Sequence, residues 1–255
     1  MNLTMPGDLA DSYKNPAQQA RVVTESWGAE NLYCPVCDSD RLGRSAPNRE
    51  AIDYVCPQCE ELFQLKSRST ALAVKIVDAA YNAMRNAIVT GHTPNLFALH
   101  YDRPRWQVVS LVIVPRFAYS LSAIEKRKPL GQNARRANWV GCNILLANIP
   151  PDARIAIVKD GVITDARTVR KQYARLRPLE KIQHDARGWT LDVLNVVRAI
   201  NKVEFTLPEV YAFAPHLQKL HPDNRHVRDK IRQQLQVLRD LGLVEFLGGG
   251  RYRAV

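Results

Sequence analysis

The sequence predicts a mixed α/β domain with an embedded four-cysteine ribbon, followed by a C-terminal winged helix. Three observations carry this. Cys34-x2-Cys37 and Cys56-x2-Cys59 stand eighteen residues apart, the spacing of two thiolate knuckles that close on one tetrahedral ion. Up to about residue 165, runs with strand period and runs with helix period are interleaved, which argues for a mixed sheet with helices against it. From Thr190 onward the order is three helical patterns and then two strand patterns around Gly248-Gly249-Gly250, the order of a winged helix.

Each element has its own signal. Pro16 to Leu32 reads as an amphipathic helix with Ala20, Val23 and Trp27 at helical spacing. Ala51–Val55 and Leu62–Lys66 read as short strands beside the second cysteine pair. Ser69 or Thr70 then offers an N-cap to a helix through about Val89, with Ala73, Ile76, Val77, Ala80 and Met84 as its apolar stripe and Gly91 and Pro94 as its stop. Leu96–Tyr101 and Trp106–Val114 read as strands around Asp102-Arg103-Pro104, and Arg154–Val158 as another before a turn at Asp160-Gly161. The basic stretch Asp165–Arg187, with one proline, fits a helix and a linker. Beyond it, Thr190 is expected to cap a helix with Leu191, Leu194, Val197 and Ile200 on one side. Thr206-Leu207-Pro208-Glu209 is a capping box that opens a second helix. A third runs from about Arg225 to Leu241 over Val227, Ile231, Leu235 and Leu238, with Gly242 as its stop, and Leu243–Leu247 and Arg251–Val255 form a terminal hairpin. The expected division is 1–182 and 183–255.

A chain of 255 residues can bury one good core and a smaller second one. No apolar run approaches the ~18–20 residues of a membrane span, and Met1–Lys14 lacks a signal-peptide pattern, so a cytoplasmic protein without membrane attachment is expected. In a reducing compartment, four of five cysteines in two CxxC pairs argue for structural Zn2+ over disulfides; Cys142 reads as a small buried side chain. The net charge of +11 is unevenly spread. Residues 1–119 hold 12 Lys/Arg against 12 Asp/Glu, residues 120–187 hold 14 against 6, and residues 188–255 hold 10 against 7. A basic surplus confined to the latter half fits a phosphate-contacting surface, and a solvated face without a partner is the plain alternative.

Three patterns carry chemistry. In Leu62–Lys66 the strand period puts Gln64 and Lys66 on one face and Phe63 and Leu65 on the other. If the knuckles hold Ala51–Val55 beside this run, Asp53, Gln64 and Lys66 converge, which outlines a hydrolytic metal site. Between Glu125 and Asn143, Arg127, Arg135 and Arg136 with amides and Trp139 suit phosphate pairing and wedging into a base step, unless Trp139 is simply core. On the third C-terminal helix the polar side presents Arg228, Arg232, Gln233, Gln236 and Arg239; Arg and Gln pair bidentately with guanine and adenine in the major groove.

The chain resembles the methyl-directed restriction endonucleases of the DpnI family over essentially its whole length. The resemblance rests on the CPxC…CxxC ribbon, the D-(x10)-[EQ]-x-K motif at Asp53, Gln64 and Lys66, and the block K-P-L…A-R-R-A-x-W-x-G-C-N around Trp139. It continues in R-G-W-T (Arg187–Thr190), E-F-T-L (Glu204–Leu207) and K-I-R-Q-Q-L-Q-x-L-R-D (Lys230–Asp240). It implies a PD-(D/E)xK nuclease core joined to a winged helix, both reading G-A-T-C that carries N6-methyladenine in double-stranded DNA. It further implies that Asp53, Gln64 and Lys66 are catalytic, with Asp53 and Gln64 holding Mg2+ (Mn2+ as a substitute), and that Cys34, Cys37, Cys56 and Cys59 hold zinc. Trp139 would be the ring inserted into the DNA stack, with Arg187 and Trp189 added to the DNA contacts named above. A monomer with no obligate protein partner is expected. The sequence departs from the nuclease superfamily at Gln64, where a glutamate is usual; the amide oxygen can still ligate a hard cation, with one negative charge fewer. The alternatives are a non-cleaving zinc-ribbon and winged-helix regulator or methyl-adenine reader, and a nuclease for unmethylated or structured DNA. Asp53, Gln64 and Lys66 discriminate against the regulator, which has no need of them.

Overall fold

Asn15 opens the first helix. Its side chain accepts from the Ala17 N–H, and Pro16 takes the first helical position, where a missing N–H costs nothing. The computed structural model describes residues 1–46, 51–72 and 75–255. Helix α1 (Pro16–Asn31) buries Val23 and Trp27, as its period predicts. It lies directly on the sheet. A Cβ on Gly28 would meet Tyr54 Oη at 2.3 Å, and that hydroxyl donates to Glu25 O at 2.8 Å.

Strands β1 (Gly43–Arg44), β2 (Tyr54–Val55) and β3 (Leu62–Arg68) follow, joined antiparallel. The next stretch departs from expectation. Instead of one helix to Val89, the chain makes strand β4 (Lys75–Ala80) and then helix α2 (Tyr81–Thr90). In β4, Ile76 and Asp78 are buried while Lys75 and Val77 are exposed, so the period there is two. Ile76, Ala80 and Met84 fit a helical stripe equally well, and strand pairing overrode that local preference. Ala73, placed on the same stripe, lies outside the described residues. Gly91 at φ 73° ends α2 as expected.

Strands β5 (Asn95–Asp102) and β6 (Gln107–Val114) form a hairpin. Then come β7 (Ile124–Lys126), β8 (Gly141–Leu145), β9 (Ile155–Lys159) and β10 (Val162–Ile163), the last two joined through Asp160 at φ 50° and Gly161 at φ 78°. Helix α3 (Ala166–Leu176) is capped by the Asp165 side chain. The main sheet runs β1-β2-β3-β5-β6-β9-β10, parallel only at β3–β5; β4-β8-β7 is a second, antiparallel sheet. At the start of β5, buried Asn95 uses its whole hydrogen-bonding capacity. Its amide donates to Glu61 Oε2 (2.9 Å) and Leu62 O (3.1 Å), and its oxygen accepts from Arg116 N (3.0 Å) and Tyr173 Oη (2.7 Å).

Helix α4 (His184–Ile200) begins before Thr190, which is therefore not a cap but a buried mid-helix residue 2.6 Å from Gln234 Oε1. Strand β11 (Glu204–Thr206) leads into the capping box. The Thr206 N–H donates to the Glu209 carboxylate at 2.7 Å, and the Lys202 ammonium together with that contact holds the Glu209 carboxyl pKa down to about 2. The second helix is broken into α5 (Leu207–Tyr211) and α6 (Ala214–Leu220), with Pro215 in the first turn of α6. Helix α7 (Val227–Asp240), β12 (Val244–Gly248) and β13 (Arg251–Ala254) complete the winged order, with the sheet β11-β13-β12. Polar ties fasten α4 to the preceding region: Arg198 to Asp152 through two bonds of 2.8 and 2.7 Å, Asp192 Oδ1 accepting from Ser122 Oγ at 2.6 Å, and Asn195 Nδ2 donating to Asn148 O at 2.5 Å. No helix among the described residues is long and apolar enough to cross a membrane.

Candidate active site and nucleic-acid interface

The two cysteine pairs close on one point. The four sulfur atoms lie within 4.8 Å of one another, with Cys34 to Cys59 at 3.6 Å and Cys37 to Cys56 at 3.5 Å. Four soft thiolates at these separations fit zinc, and a complete set of protein ligands leaves no open position for catalysis. Arg170 on α3 fixes the first knuckle by donating to Cys34 O and Ser39 O, both at 3.1 Å. The second knuckle is tied to the strands: Cys56 N donates to Glu61 O at 2.9 Å, and β2 and β3 meet immediately beyond.

That junction positions the predicted catalytic residues. The Asp53 N–H donates to Phe63 O at 2.9 Å, and Asp53 Oδ2 accepts from the Leu65 N–H at 2.7 Å, so its carboxylate is held beside β3. Burial pushes the Asp53 carboxyl above its ordinary range; the Leu65 N–H and the Lys66 charge pull it back. On β3, Phe63 is buried and stacks on Phe97, with ring centroids 5.3 Å apart, while Gln64 and Lys66 share the other face. Their common neighbour is a residue that sequence reasoning missed. Asp78 on β4, its side chain 3% exposed, places Oδ1 2.9 Å from Lys66 Nζ and 3.4 Å from Gln64 Nε2. The signal was an acid at a buried position of a period-two run, hidden by the helical match. Asp53 and the Gln64 amide oxygen are hard donors of the kind Mg2+ takes, so the residues fit such an ion.

The DNA-contact candidates fall into two groups. Arg127, Arg135 and Arg136 are exposed in the loop between β7 and β8, and Trp139 is half-buried at its base. There Leu130 N donates to Trp139 O at 2.9 Å, and the indole ring fills the space that a Cβ on Gly141 would need, 2.7 Å away. Trp139 is thus neither core nor free. On α7, Arg228, Arg232, Gln233, Gln236 and Arg239 are all exposed while Val227, Ile231, Leu235 and Leu238 are buried, matching the predicted two faces. Arg228 and Arg232 lie over the Tyr211 ring at 5.4 and 5.7 Å. Arg187 and Trp189, the remaining candidates, lie elsewhere. Both are buried in α4, which is enclosed on every side from Arg187 to Leu194, and Trp189 stacks on His221 at 3.8 Å between ring centroids.

The chain matches the model of the DpnI, Dam-replacing family over residues 1–182 and that of the DpnI C-terminal, Dam-replacing HTH domain over residues 185–254. An HTH domain points to DNA as the partner, in keeping with the exposed Arg and Gln row of α7. With both models matched, a mixed α/β region holding a four-cysteine cluster, and a winged C-terminal region behind it, the chain belongs to the DpnI family.

Proposed function

We propose that this protein is a site-specific endonuclease that cleaves double-stranded DNA at G-A-T-C containing N6-methyladenine, with Mg2+ as its catalytic ion and zinc as a structural one. In this reading residues 1–182 form the nuclease domain, residues 183–255 the winged-helix domain, and both read the methylated site. What supports it is that Asp53 Oδ2 accepts from the Leu65 N–H of β3, the strand that carries Gln64 and Lys66, and that the four thiolates close on one point. Mg2+, when bound, supplies Lewis-acid chemistry at the scissile phosphate. Asp53 and the Gln64 amide oxygen would hold it. Lys66, a donor of three hydrogen bonds, orients the attacking water and meets the charge that develops on the phosphate oxygens. The basic loop before β8 and the α7 row would grip the backbone and base edges, and the exposed loop around Trp139 would carry the ring toward the bases.

Purified protein incubated with Mg2+ or Mn2+ and two plasmids, methylated and unmethylated at G-A-T-C, tests the reading. Selective cutting of the methylated plasmid, abolished in Asp53→Ala while DNA binding persists, is the expected outcome. Binding to methylated DNA without cutting by either ion would make the protein a methyl-adenine reader, and equal cutting of both plasmids would remove the methyl dependence.

A further inference from the structure

Asp78 is buried, yet nothing in the three-residue motif calls for it. A buried carboxylate needs both a counter-charge and hydrogen bonds, or its desolvation is costly. Lys66 Nζ at 2.9 Å supplies the charge, reaching inward from a side chain that is still 28% exposed. Gln64 Nε2 at 3.4 Å supplies a second, longer contact. An ionised carboxylate only accepts hydrogen bonds, so Gln64 can face it through its nitrogen alone, which turns the amide oxygen away from Asp78. Asp78 is also placed independently of β3. It sits on β4, whose partner is β8, with Val77 opposite Asn143 and Ile76 opposite Ile144.

We infer that Asp78 is the positioning residue of this active site: it holds the Lys66 ammonium, orients the Gln64 amide, and carries the negative charge that glutamine at position 64 lacks. The inference rests on the nuclease reading above and deepens it. It explains why an amide stands at 64, since a glutamate there would set two carboxylates side by side in a buried place. It also makes Lys66→Ala an ambiguous test of catalysis, because that change strands a buried charge as well as removing the ammonium.

Asp78→Asn is nearly isosteric; it removes the charge and keeps one acceptor oxygen that can still face Lys66. Its melting temperature, zinc content and binding to methylated duplex should stay close to wild type, while cleavage falls about 10–100-fold, as for other residues that orient metal-site ligands. Asp78→Glu restores the charge one methylene away and should cut at an intermediate rate. A readout independent of cutting is the nitrogen-15 NMR signal of the Lys66 ammonium, observable while the group is held and lost on rapid exchange when released; it should vanish in Asp78→Asn. Wild-type cutting by Asp78→Asn overturns the inference. If that variant does not fold, Asp78→Glu decides through the ammonium signal: its loss together with wild-type cutting overturns the inference. Should the wild-type protein cut no DNA, the nuclease reading falls, and the ammonium signal decides alone: persistence in Asp78→Asn removes the inference, loss keeps it.

Discussion

Helix α7 and the β2–β3 junction each present a row of functional side chains, and they are built in opposite ways. On α7 one element makes both the apolar and the polar face, by period alone, with Ile231, Leu235 and Leu238 in and Arg228, Arg232 and Gln236 out. At the junction four side chains come from three places: Asp53 before β2, Gln64 and Lys66 on β3, and Asp78 on β4 of the other sheet. The supports differ too. The winged region closes on an apolar core under a short sheet, whereas the junction flanks the second thiolate knuckle. A face made by one element is robust to events elsewhere; a convergent site is only as firm as its weakest tie.

That contrast can be broken experimentally, most strongly through the metal. A structural zinc contributes on the order of 10 kcal/mol of folding energy. Cys56→Ser, or chelation, should therefore unfold the β2–β3 region while amides of α7 keep their exchange protection; a stable, cutting Cys56→Ser would erase the distinction. Next, Leu235→Ala should cost about 2–5 kcal/mol, the range for emptying a fully buried aliphatic position, and should show first in the winged region. Loss of protection at β3 before α7 would show that the two regions melt as one. Arg232→Ala should weaken binding to a specific duplex by about 1–3 kcal/mol, with little change in melting temperature. Unchanged binding at several salt concentrations would move the DNA contact off α7.

The smallest effect concerns the Asp53 carboxyl, whose pKa is raised in the folded protein by burial. A raised folded pKa means that the folded state favours the protonated form. The carboxylate then opposes folding above that pKa and costs nothing below the unfolded value. Asp53→Asn should abolish cutting yet raise the melting temperature slightly near neutral pH, with the gain disappearing in acid. A lower melting temperature near neutral pH would mean that the Leu65 N–H contact outweighs burial.

Much of this was legible in the sequence, for physical reasons that also mark where reading stopped. The cysteine spacing, the capping box at Thr206 and Glu209, and the α7 stripe are local patterns with one geometric outcome each. Between Ser69 and Val89 the apolar spacing satisfied a strand and a helix at once, and pairing with β8 decided it for β4. With β4 misassigned, nothing in the pattern singled out Asp78.

Asn95 sets a limit on how this chain could drift over generations. Its two amide hydrogens and two oxygen lone pairs are all engaged, and no other side chain of that size offers two of each. Aspartate would bring a second charge beside Glu61 and lose both donors, and leucine would leave four partners facing nothing. The parallel register begins at this contact, with Phe63 opposite Asn95, Gln64 opposite Leu96 and Lys66 opposite Ala98. A slip of one residue there would turn Gln64 and Lys66 to the wrong side of the sheet. In a saturation library selected for folding alone, position 95 should therefore be among the least interchangeable in the chain, although its side chain makes no hydrogen bond to Asp53, Gln64, Lys66 or Asp78.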